Sequence, residues 1–74
     1  MTTYNNVWLS LKRARMIAQD LMNKFGGLAV HEDHIIEALW NHPLYEDQMW
    51  LDVDWSNFDE VVGIHVGVEG GIII

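Results

Sequence analysis

The sequence predicts an α+β domain, with two N-terminal helices packed on a small antiparallel C-terminal sheet of two to three strands. Three observations predict it. As far as Asn41, apolar residues recur every three or four positions, whereas from Trp50 onward they recur at every second position. Gly26-Gly27 divides the helical half, and Gly70-Gly71 punctuates the alternating half. At 74 residues with no cysteine, the chain makes one domain, residues 1–74, with a small core and no disulfide to reinforce it.

The first helix is expected over residues 6–25. Val7, Leu11, Ala14, Ala18, Leu21, Met22 and Phe25 form its apolar stripe. Asn5 or Asn6 is the expected cap, and Gly26-Gly27 supplies a left-handed stop. Lys12, Arg13 and Lys24 point away from the stripe, and Arg15 flanks it. The second helix is expected over 32–41, with Ile35, Ile36, Leu39 and Trp40 buried. Glu32 and Asp33 sit at the positive end of its dipole, and Pro43 follows its end.

A strand is expected over 49–55, with Leu51, Val53 and Trp55 on one face and Trp50, Asp52 and Asp54 on the other. A second is expected over 61–69, with Val62, Ile64, Val66 and Val68 opposite Gly63, His65, Gly67 and Glu69. Ser56 to Glu60 joins them as a loop or one helical turn. Gly70-Gly71 is a turn signal before a short edge strand at 72–74. Its three isoleucines either tuck into the core or leave an edge open to strand addition. Trp8, Trp40 and Trp55 read as core. Trp50 reads either as an exposed anchor on the acidic face or as core beneath the helices.

Charge is segregated along the chain. All four cations, Lys12, Arg13, Arg15 and Lys24, lie in the first third, while ten of the eleven carboxylates lie after Phe25, giving a net charge of −7. Such self-repulsion costs stability in a compact state and points to a positive partner. It disfavours nucleic acid and anionic membrane as direct ligands, because both are bound through Lys and Arg. The N-terminus lacks the order of a signal peptide, and no apolar run reaches bilayer length, so the cytoplasm is the expected compartment.

No enzyme chemistry is expected. His31, His34, His42 and His65 lack the convergent spacing of a metal site, and neither Ser10 nor Ser56 stands in a nucleophile context. The glycine pairs lead into no phosphate-binding pattern. No cofactor and no metal are expected.

The candidate partner-binding residues are Asp52, Asp54, Trp50, Asp59 and Glu60, with Glu46 and Asp47 as rim charges. Asp52 and Asp54 project from one strand face roughly 6.6 Å apart. That is on the order of twice the 3.4 Å axial repeat of one nucleic-acid strand. The alternative is a solvated face that keeps the protein dispersed and blunts edge pairing. The expected function is a small acidic protein-binding module, an inhibitor or regulator that occupies a basic, nucleic-acid-binding type of surface on a partner. Nucleases, polymerases and toxins are the target classes, and phage or mobile-element inhibitors share this general type. The alternative is an accessory protein that self-associates, as a homodimer, through its apolar C-terminal edge or a helix face.

The run Lys12-Arg13-Ala14-Arg15-Met16-Ile17-Ala18, then Phe25-Gly26, then Asp33-His34-Ile35-Ile36-Glu37-Ala38-Leu39, resembles the first two helices of the N-terminal repeats of Clp-type unfoldases. The resemblance covers under half of the chain. The alternating second half departs from that all-helical family, and other helical hairpins share the spacing, so no activity or partner is carried over.

Overall fold

A computed structural model of the chain describes the backbone of residues 3–69 and the side chains of residues 8–69. The element order is α1 (Thr3–Phe25), α2 (Glu32–Trp40), β1 (Met49–Trp55) and β2 (Val61–Val68). The two helices precede a two-stranded antiparallel sheet. Residues 72–74, the expected third strand, lie outside the described residues.

The first helix starts earlier than expected. It is already formed at Thr3, so Asn5 and Asn6 lie inside it rather than capping it. Its buried side is Ser10, Ala14, Ile17, Leu21 and Phe25, with Leu11, Ala18 and Met22 partly buried. Ile17, missing from the expected stripe, is wholly buried. It sits three and four residues from Ala14 and Leu21, the spacing that stacks side chains on one helix face. Gly27 stops the helix in the left-handed region at φ 81°. Gly26 N–H closes the last turn on the Met22 carbonyl at 2.8 Å.

Only six residues separate α1 from α2, and the last of them, His31, caps α2. Its Nδ1 accepts the Asp33 N–H at 3.2 Å, a role that Ser, Thr, Asp or Asn usually fills. Ile35 and Leu39, four apart, form the buried side of α2, and Ile36 is half-buried. Trp40, expected in the core, is 62% exposed, because only Ile35 and Leu39 of this short helix are buried and Trp40 lies about 100° around the axis from Leu39. Trp8, also expected in the core, is 64% exposed on the far side of α1 from Ile17. Trp55 packs partly buried against the core.

Met49, Leu51, Val53 and Trp55 pair with Val68, Val66, Ile64 and Val61 along the inner face of the hairpin. That face packs on α1, chiefly through β2. The expected alternation fails at Val62. Asp54 pairs with Gly63 but Trp55 pairs with Val61, so one extra residue of β2 bulges out. Val61 therefore takes the buried place and Val62 faces solvent.

The linker also touches the sheet. Gly27 N–H donates to the Val61 carbonyl and Val61 N–H donates to the Leu28 carbonyl, each at 2.9 Å, next to an isolated Ala29–Glu60 bridge. The start of β2 is thus flanked by β1 on one side and by this linker on the other.

Candidate functional site

The alternation that buries Met49, Leu51 and Val53 sends Trp50, Asp52 and Asp54 to the outer face of the hairpin, away from α1. Opposite them on β2 stand Gly67, His65 and Gly63. Two of these three positions carry no side chain, so the longer side chains of β1 lie across β2. A Cβ at residue 67 would meet the Trp50 atoms Cζ2, Cε2 and Cη2 at 2.0, 2.3 and 2.7 Å. Three consecutive ring atoms at such distances place the six-membered ring across Gly67 instead of past it. The indole remains 51% exposed.

The two strand aspartates are not equivalent. Asp54 Oδ2 lies 2.9 Å from His65 Nε2 and leans over Gly63. Asp52 stands directly opposite His65 yet has no hydrogen-bonded or ion-pair partner among the described residues. His65 is thus the one basic-capable side chain at the centre of this face. Its place on the same strand face as Gly63 and Gly67 was legible in the alternation, but its position opposite Asp52 and its bond to Asp54 depend on the strand register.

The other candidate residues divide into three places. Asp47 is exposed just before β1. Asp59 and Glu60 lie at the opposite end, in the hairpin loop, roughly seven strand rises of 3.3 Å away. Ser56 shapes that loop, its Oγ accepting the N–H groups of Phe58 and Glu60 at 3.3 and 3.1 Å. Asp59 takes a left-handed φ of 59°, which Asp tolerates better than most side chains. Its side chain lines a shallow depression with Val30, His31, Glu32 and Trp55. Phe58, 79% exposed at the loop tip, extends this end of the hairpin and was not among the expected residues.

Glu46 departs from the expected rim. Its Oε1 accepts the Ser10 hydroxyl at 2.6 Å and the Gln48 side-chain amide at 2.9 Å, and its Oε2 accepts Arg13 Nη1 at 2.7 Å. The Ser10 bond first and the Arg13 bond second hold its carboxyl below the usual carboxylate range, while desolvation opposes them. Arg13 points away from the buried stripe as expected, and from that exposed position it reaches across to this carboxylate. Glu46 is therefore a tie between α1 and the segment entering β1, and its charge is already matched within the chain.

A second recess lies between the helices, lined by Asp20, Lys24, His34, Glu37 and His42 among others. There His42 Nδ1 accepts the Leu44 N–H at 3.0 Å, so the ring proton is on Nε2, which donates to Asp20 Oδ2 at 2.8 Å. His42 so fastens the end of α2 to α1. Among the described residues no group of three or more His, Cys, Asp or Glu side chains is placed to hold a metal ion, and no helix is long and apolar enough to cross a membrane.

The outer hairpin face thus offers an open indole, one unpartnered carboxylate and a carboxylate–imidazole pair on a rigid strand pair. Such a surface can bind cationic groups by charge and by stacking. Compared with known proteins, the chain matches no family model, no curated relative and no solved structure, so the likeness of residues 12–39 to Clp-type repeats stands as a resemblance of spacing alone.

Proposed function

We propose that this protein is an acidic binding module whose outer hairpin face docks on a basic surface of another protein and occupies it. A nuclease, polymerase or toxin that binds nucleic acid through such a surface is the target class, and the bound protein would be inhibited. One observation supports the reading most. Trp50, Asp52 and Asp54 share one solvent-facing surface, while the chain holds no Lys or Arg beyond Lys24. Complementary potential accelerates encounter, and a half-exposed tryptophan amid the charge supplies the desolvated anchor that an ion pair alone lacks.

The test uses purified nucleases and polymerases with basic clefts, at low and high ionic strength. Inhibition that nucleic acid competes away and that rising salt weakens is the expected result. Inhibition indifferent to salt, or retained by the double variant Asp52→Lys with Asp54→Lys, rules the reading out.

A second reading has its own observation. Leu9 and Met16, seven residues apart on one flank of α1, are both exposed, with Trp8 nearby. This flank would suit self-association of two chains. A sedimentation mass of two chains that falls to one on Met16→Glu supports it, and a monomer at all concentrations removes it.

A further inference from the structure

We infer that the open face of Trp50, together with the Asp52 carboxylate, is a receptor for a single arginine side chain presented by the basic partner. The inference rests on the acidic docking face proposed above and narrows its partner from "basic" to "arginine-presenting". One side of the Trp50 ring is covered by the backbone of Gly67, which fixes its tilt, while the indole stays half-exposed to solvent. Asp52 is two residues further along the same strand face and lacks a partner among the described residues, whereas Asp54 is engaged by His65. A strand rise of about 3.3 Å per residue puts the carboxylate some two rises from the indole. A planar guanidinium spans that interval, stacking on the ring while its fork of N–H donors meets the carboxylate. An ammonium ion is a compact, strongly hydrated point charge and cannot make both contacts with the same geometry. A nucleic-acid base would also stack on the ring, but its phosphates would face Asp52 and Asp54, where like charge repels them.

The experiment titrates the isotope-labelled 74-residue chain with octa-arginine and, separately, with octa-lysine at low ionic strength, following backbone and indole N–H resonances. Octa-arginine is expected to bind about five-fold tighter than octa-lysine and to shift the Trp50 indole and Asp52 signals most. Trp50→Leu should bring the ratio of the two affinities close to one, leaving a salt-sensitive residue of binding. Equal affinities for the native chain overturn the arginine receptor but leave the acidic docking face standing. A preference that survives Trp50→Leu, or whose shifts centre on the exposed Trp8 or Trp40, overturns it too. If neither peptide binds, the docking face itself fails. Should Trp50→Leu not fold, the shift map of the native chain still decides between these outcomes.

Discussion

On the inner face of the β1–β2 hairpin, Met49, Val53, Val61, Ile64 and Val68 are buried against the helices, and no polar side chain from either strand intervenes. On the outer face, from the rungs in between, stand Trp50, Asp52 and Asp54, opposed by two glycines and one histidine. Both faces arise from one alternating pattern, yet each side is built for a different task. The inner side removes apolar area from water at about 25 cal/mol per Å² and so carries stability. The outer side keeps an indole and carboxylates in water, which contributes little to folding and leaves them available. Substitutions on the inner side should therefore act on the folding equilibrium, and those on the outer side on association.

Ile17→Ala gives the largest expected effect. Ile17 is wholly buried beneath the hairpin, so its truncation should lower unfolding free energy by about 3 kcal/mol in urea titrations. In a chain this small that is a large share of the total. A loss below about 1 kcal/mol would mean that α1 is not seated on the inner face as described.

The Glu46 tie between α1 and the entry to β1 comes next. Glu46→Ala leaves the buried Ser10 hydroxyl without its acceptor and should cost about 2 kcal/mol. Ser10→Ala combined with Glu46→Ala should cost less than the sum of the single changes, since both remove the same bond. This tie also has a pH signature. Because the folded Glu46 carboxyl titrates below its ordinary value of 4.5, its contribution is complete above that value and is lost as pH falls through the lower folded one. Stability measured against pH should therefore fall less steeply on the acid side in Glu46→Ala than in the native chain.

Gly67→Val tests the outer face directly. The new Cβ meets the Trp50 ring at 2.0 Å, so the indole must swing away. A loss of about 1 kcal/mol is expected, with a shift of the Trp50 indole N–H resonance and weaker binding to a basic protein. An unmoved Trp50 resonance would contradict the stacking. The smallest stability effect is expected for Asp52→Asn, within about 0.5 kcal/mol, since that carboxylate is exposed and unpartnered among the described residues. Its consequence should appear as reduced salt-dependent association with a basic protein. A marked change in unfolding free energy would show that the two faces are not independent.

Much of this layout was legible in advance because it depends on neighbours in sequence. The apolar spacing of α1 and α2, the left-handed stop at Gly27, and the alternation of β1 are all short-range features, and β1 spans the expected residues. The shared outward face of Trp50, Asp52 and Asp54 followed from the same two-residue period. Other features could not be read that way. Val62 left the core because a bulge depends on how two strands end at a particular loop. Trp8 and Trp40 are hydrophobic and helical, but burial requires a facing element, and none covers them among the described residues. Glu46 looked like one more rim charge until a contact spanning 33 residues brought Arg13 to it.

The chain by itself determined its periods, its turns and its one-sided acidity, because these follow from local sterics and from which residue types are present. Only the tertiary structure decided which carboxylates keep a free charge and which side chains leave water. Glu46 was matched by α1, Asp54 was joined to His65 across the strands, and Asp52 was left open beside an indole held flat by a glycine. The physical reason is that exposure and charge pairing are properties of surfaces meeting in space, and the energy of each contact depends on a partner many residues away.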